Sequence, residues 1–140
     1  MNRQNNCYDY GGKPFITDLA KDTYMNNNFR TARWTGDNLQ LTLMCIPPCS
    51  EIGLEMHPST DQFLYIEYGI GFAMMGKDKD CLDYKSTVSN QCGIFIPAGT
   101  WHNLKNIGQK PLELFSVYAP PQHPFGTIHR TKSDSDKAEY

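Results

Sequence analysis

The 140-residue chain has no surplus of charge of either sign: 13 Lys and Arg face 15 Asp and Glu, a formal net charge of −2. Without a basic excess there is little to neutralise a run of phosphates, which weighs against a nucleic-acid partner. Long apolar runs are missing too. The stretch 69–76 is among the longest, far short of the ~18–20 residues that span a bilayer, so no membrane role is expected. The opening Met-Asn-Arg-Gln-Asn-Asn lacks the apolar segment of a secretory signal, and a cytoplasmic location is expected. Cysteine occurs five times, at Cys7, Cys45, Cys49, Cys81 and Cys92, but never as a C-x-x-C pair. The odd count fits neither a disulfide framework nor a thiolate zinc knuckle, leaving free thiols of a reducing compartment as the expectation. No window of helical length carries a convincing apolar stripe, and no repeat or low-complexity tract is present.

What is there is the composition of one globular domain. Charged residues make up 20%, hydrophobic ones 39% and aromatics 12%, enough apolar material for a core without staples. Short apolar runs are separated by turn residues: Thr35-Gly36-Asp37-Asn38, Pro47-Pro48, Gly76-Lys77-Asp78, Ser89-Asn90 and Asn106-Ile107-Gly108. Punctuation this frequent predicts an all-β domain. Leu39-Gln40-Leu41-Thr42-Leu43 alternates as a half-buried strand does, and 63–66, 93–96 and 112–118 read as further strands. One short helix is expected over 18–27, with Asp18 as its cap. Residues 1–14 read as a loose lead-in and 131–140 as a frayed polar tail.

Two segments concentrate chemistry. In Glu55-Met56-His57-Pro58, a strand places Glu55 and His57 on one face, and Pro58 favours extended backbone at His57. Ser59-Thr60-Asp61 reads as a turn, after which Gln62 opens a strand whose inward face it shares with Leu64 and Ile66, and Gly69 ends it. In Pro97-Ala98-Gly99-Thr100-Trp101-His102, Gly99 permits a sharp reversal and His102 begins the return strand.

These segments resemble the paired motifs of the cupin superfamily. The second reads Pro97-x-Gly99-x-x-His102-x-x-x-Asn106; the glycine expected six residues before the proline is replaced by Gln91. In the first, Glu55 stands where cupins usually place a His, His57 keeps the second His position, Gln62 replaces a Glu, and Gly69 is retained. The resemblance implies a small antiparallel β-barrel, a double-stranded β-helix or cupin-type jelly roll, with one domain over 1–140 and a barrel at about 39–118. It also implies a divalent ion held by Glu55, His57, Gln62 and His102, and a homodimer. Two imidazoles and two oxygens without thiolate suit Mn, Fe, Co, Ni or Zn.

Three functions follow from that resemblance. Glu-x-His-Pro followed by Gln looks like single-domain cupins grouped with mannose-6-phosphate isomerases, implying a metal-dependent isomerase acting on a small polar molecule. Two His and a carboxylate also match the ligand types of iron-dependent dioxygenases. The third reading is a non-catalytic small-ligand-binding module. Elsewhere, Tyr65, Phe95, Trp101 and Tyr118 read as core, and Arg30 and Arg33 as solvated cations, with attraction of an anionic substrate as the alternative. His123 and His129 read as loop histidines that could reach the barrel mouth, and Asn106 as a turn residue.

Overall fold

A computed structural model describes residues 9–138. The helix expected near the start is α1, Leu19–Met25, and the Asp18 side chain caps it by accepting from the Lys21 amide. The strands are β1 (Arg30–Thr35), β2 (Gln40–Ile46), β3 (Asp61–Tyr68), β4 (Gly71–Gly76), β5 (Tyr84–Val88), β6 (Gly93–Ile96), β7 (Trp101–Asn106), β8 (Leu112–Ala119) and β9 (Ile128–His129). They form a six-stranded sheet, β6-β3-β8-β2-β1-β9, and a three-stranded sheet, β5-β4-β7, with every pair antiparallel. The core joins the two: Met44, Ile46, Leu64, Ile66, Leu112 and Leu114 of the larger sheet pack with Ala73, Val88 and Leu104 of the smaller. This is the jelly-roll arrangement expected. Among the described residues no helix is long and apolar enough to cross a membrane.

Register divides the barrel interior in two. The inward residues run Gln40, Thr42, Met44, Ile46 on β2, Gln62, Leu64, Ile66 on β3, and Leu112, Leu114, Ser116, Tyr118 on β8, all buried. Each strand is therefore polar at one end and apolar at the other. The pairings Gln40↔Tyr118, Thr42↔Ser116 and Gln62↔Tyr118 gather the polar ends, while Met44↔Leu114, Ile46↔Leu112 and Ile66↔Leu114 gather the apolar ones. A one-residue slip would turn every one of these side chains to the opposite face. The result is an apolar floor beneath a polar mouth.

Several expectations are corrected. Residues 40–43 do form strand, with Leu39 just outside it, but Gln40 and Thr42 face inward and Leu41 and Leu43 face outward, where α1 packs against β2, β3 and β8. The inversion is tolerable because Gln40 is fully bonded: its Nε2 donates to Thr35 Oγ1 and the His123 carbonyl, and its Oε1 accepts from the Gln122 and His123 amides. The tail is not frayed over 132–137. It forms helix α2, Lys132–Lys137, closed by a capping box between Thr131 and Asp134. Of the lead-in, residues 1–8 lie outside the described residues. Beyond them the chain docks on β1, with the Tyr10 amide donating to the Arg33 carbonyl and Trp34 Nε1 to the Lys13 carbonyl. Phe95 is not core but 73% exposed, on the outer face beside Phe63.

The replaced glycine of the second motif has a visible consequence. Gln91 adopts φ 72°, one of two non-glycine residues in the left-handed region among the described residues, in the turn that leads into β6. Its amide is pinned to the Ile66 carbonyl at 2.8 Å, so the conformation is imposed by the ladder between β3 and β6. A Cβ in this region costs roughly 1–2 kcal/mol. Gln91→Gly is expected to stabilise the fold by about 0.5–1 kcal/mol after the entropy of the freer unfolded chain is subtracted. Chemical denaturation showing equal or lower stability would contradict this.

Candidate metal centre

Glu55 and His57 do not lie on a regular strand, contrary to the expectation. The segment 50–58 is extended, but its backbone pairs with β7 only as the isolated bridges Glu51↔Lys105 and Glu55↔His102. Gly53 interrupts it, with φ 108° and its amide bonded to Asn103 Oδ1 rather than to a backbone carbonyl. The bridge at Glu55 is reciprocal: Glu55 N donates to the His102 carbonyl at 3.0 Å and His102 N to the Glu55 carbonyl at 2.9 Å. The turn at Gly99, φ 82°, ties back through its amide to the His57 carbonyl at 2.8 Å. Backbone bonds thus fix both histidines relative to Glu55.

The side chains converge accordingly. Glu55 Oε2 lies 3.2 Å from His102 Nε2 and 3.6 Å from His57 Nε2. One ligating atom from each of Glu55, His57 and His102 falls within 4.8 Å of the others. Ligand atoms about 2.1 Å from a common ion stand roughly 3.0–4.2 Å apart, so the group has the dimensions of a coordination site. His102 Nδ1 is 2.9 Å from the Thr100 carbonyl, which holds the Nδ1–H tautomer and leaves the Nε2 lone pair facing Glu55. His57 Nε2 is buried without a hydrogen-bond partner.

Gln62 approaches from β3. Its Nε2 donates to Ser116 Oγ at 2.9 Å, while its Oε1 is buried with no hydrogen-bond partner. It pairs in register with Tyr118, whose ring stands 5.8 Å from that of His57. Two unsatisfied buried acceptors, on His57 and Gln62, are unusual in a small barrel. Two imidazoles and a carboxylate with ligating atoms this close fit a metal ion.

Burial, the largest influence, would raise the Glu55 carboxyl; the facing imidazoles of His102 and His57 outweigh it and hold the group well below the usual carboxylate range. Glu55 therefore stands as a carboxylate.

A family model for the cupin domain matches residues 42–118. This chain belongs to the cupin family. The cupin is 53% identical over 131 residues to the uncharacterized protein YrkC of Bacillus subtilis strain 168, a match covering 94% of this chain and 70% of that one. It is 36% identical over 115 residues to a protein of Acanthamoeba polyphaga mimivirus, covering 81% and 70%. A crystal structure from Bacillus halodurans superposes with TM-score 0.93 at 50% identity, covering 94% of this chain and 99% of that one.

The cupin mouth also contains Tyr118, expected as core, and His123, the loop histidine expected to be able to reach it. Tyr118 is buried against His57, and His123 packs its ring on Tyr118. The signal for Tyr118 was its shared period with Leu112, Leu114 and Ser116. Arg30 and Arg33 are buried rather than solvated: Arg33 pairs with Asp22 at 3.1 Å, and Arg30 lines the mouth. Cys45, Cys49, Cys81 and Cys92 are free, as expected, and burial first, then Glu113, pushes the Cys45 thiol up to about 11, leaving it a poor nucleophile. Asn106 fixes its turn through the Ile46 and Lys110 carbonyls and the Gly108 amide.

Burial, followed by the charge of Arg30, pushes His123 down to about 3 from an ordinary 6.5. Between those values the unfolded chain binds a proton that the folded one refuses, so stability falls as pH drops from about 6.5 towards 3. The contribution is at most about 1.4 kcal/mol per pH unit. In His123→Gln the slope of unfolding free energy against pH is expected to be shallower by up to that amount over this window. Parallel slopes for the two proteins would show that His123 is not held neutral.

Proposed function

We propose that this cupin binds one divalent ion through Glu55, His57 and His102, with Gln62 as a weaker fourth ligand, and acts on a small polar molecule at the barrel mouth. The observation that carries the reading is the convergence of one ligating atom each from Glu55, His57 and His102 within 4.8 Å of one another. The ligand set preserves the charge of the usual cupin centre, since one carboxylate and a neutral amide replace one carboxylate and a third imidazole. Mn, Fe, Co, Ni or Zn all suit nitrogen and oxygen donors of this kind. An ion with positions left open would supply Lewis acidity to a bound oxygen atom. The chain's own groups would position the ligand: Glu55 stays ionised, and Tyr118 stays a phenol because burial above all raises its hydroxyl.

The isomerase reading needs a residue that moves a proton between neighbouring carbons. The iron-dependent oxygenase reading is favoured by the composition of the convergent group, two imidazoles and one carboxylate. Sugar-phosphate turnover with several divalent ions would single out the first. Oxygen consumption with iron alone would single out the second, and tight binding without turnover a non-catalytic module. The homodimer implied by the family is read by sedimentation velocity.

Protein from metal-replete growth is expected to carry close to one ion per chain by elemental analysis; a trace amount would sink the site. His102→Ala is expected to weaken Mn²⁺ binding by about a hundredfold or more and Gln62→Ala by about tenfold or less, since losing even a hydrogen-bond partner that orients a metal ligand costs ~10–100-fold. Equal losses by titration calorimetry would reverse the ranking of the ligands.

A further inference from the structure

Helix α2 lies at the barrel mouth without burying a single side chain. The chain is pinned to the larger sheet just before it, where β9 pairs with β1 and the Arg130 carbonyl accepts from the Phe29 amide at 3.1 Å. From Thr131 onward the bonds close on the helix itself. They are the capping box between Thr131 and Asp134, Ser135 N to the Thr131 carbonyl, Ala138 N to the Ser135 carbonyl, and the Lys132–Asp136 ion pair. The half-buried positions are Lys132, Ser135 and Ala138, three residues apart and so on one face. A helix built permanently into a wall presents an apolar stripe there. This one presents a cation, a hydroxyl and a methyl group. Six residues do not hold a helix in water by themselves, and a segment with no buried apolar contact opens far more readily than the fold as a whole.

A polar tie reaches α2 from below. Arg30 projects from β1 and is only 2% exposed. Its Nη1 donates to Ser135 Oγ at 2.7 Å and stands 3.0 Å from His129 Nδ1, so one guanidinium joins β1, β9 and α2. A bond from a charged donor is stronger than a neutral one, yet breaking it uncovers little apolar surface. The helix also stands beside the candidate centre. A cavity of about 220 Å³ has Glu55 and His57 in its lining and takes part of its wall from Ser135, Asp136 and Ala138.

We infer that α2 is a movable lid over the mouth, hinged between Arg130 and Thr131 and latched by the Arg30–Ser135 bond, and that its release governs passage to the Glu55–His57–His102 group. The inference rests on the metal reading above only for what lies behind the lid. Arg30 is then a positioning residue that acts through α2. A lid places one barrier on both entry and exit, so loosening it speeds both by the same factor and leaves equilibrium affinity unchanged.

Two variants loosen α2 at different points without touching a proposed ligand: Ser135→Ala removes the latch, and Thr131→Ala removes the cap. Mn²⁺ release is timed with excess chromogenic chelator, and Mn²⁺ affinity is measured by calorimetry. Release is expected to quicken about tenfold or more in Ser135→Ala, the loss of a bond from a charged donor. In Thr131→Ala it is expected to quicken about threefold or more, the loss of a helix cap. Affinity is expected to stay at the wild-type value in both. In metal-free protein, carbethoxylation of His57 by diethyl pyrocarbonate, followed by peptide mass mapping, is expected to quicken in the same order, with amide exchange in β2 and β8 unchanged. Release and labelling at wild-type rates in both variants would overturn the lid. So would quicker release matched by an equal loss of affinity, which makes α2 part of the binding site, or faster exchange throughout β2 and β8, which assigns the effect to the fold at large. If Mn²⁺ does not bind the wild type, the metal reading fails by itself. The labelling of His57 then decides: acceleration in both variants upholds the lid, and equal rates overturn it.

Discussion

The candidate site depends on one reciprocal backbone contact, the bridge between Glu55 and His102. Glu55 and His57 sit on a segment that belongs to neither sheet. The bridge at Glu51 and the buried Ile52 anchor the start of that segment, and the two bonds to His102 fix its end, where the ligands lie. The bridge brings Glu55 to β7, and the Gly99 amide holds the His57 carbonyl from the other side of the same turn. Three side chains from two distant stretches then meet with little freedom left in their backbones. That preorganisation is what a coordination site requires of a protein scaffold.

The same constraint governs the surroundings. Strand register stacks Gln40, Gln62, Thr42, Ser116 and Tyr118 at one end of the barrel, directly over a floor of Met44, Ile46, Leu64, Ile66, Leu112 and Leu114. The floor supplies the hydrophobic stabilisation. The mouth is left free to hold polar groups that a uniformly apolar barrel could not tolerate. Some are satisfied internally, as Gln40 is by the loop at His123. Others, on His57, Gln62 and Arg30, have no hydrogen-bond partner. Satisfied groups frame the mouth, and the unsatisfied ones mark where its chemistry lies.

The motif residues were legible because their spacing is tied to local geometry. Gly99 is left-handed, φ 82°, for the reversal before His102, and Gly69 takes φ 109° where a Cβ would approach the Leu112 backbone at 3.1 Å. Inward positions on β3 followed from a period of two, which placed Gln62 with Leu64 and Ile66. The same period misled at 39–43, because leucines are outward-facing wherever a helix covers the outer face, and α1 does so. Arg30 was misread for a related reason. An arginine looks solvated in sequence, and only β9 and α2, arriving about a hundred residues later, bury it.

By itself the amino-acid order determined an all-β chain with two cupin-like motifs, a short Asp18-capped helix, and the ligand types Glu, His, Gln and His. Those features are local: they rest on alternation, turn chemistry and the reach of neighbouring residues. Tertiary structure alone decided that Glu55 meets the histidines through a bridge rather than a strand, that the polar tail folds into a wall of the mouth, and that Arg30 is buried there. Burial and charge balance are sums over elements far apart in the chain, and no local pattern carries them.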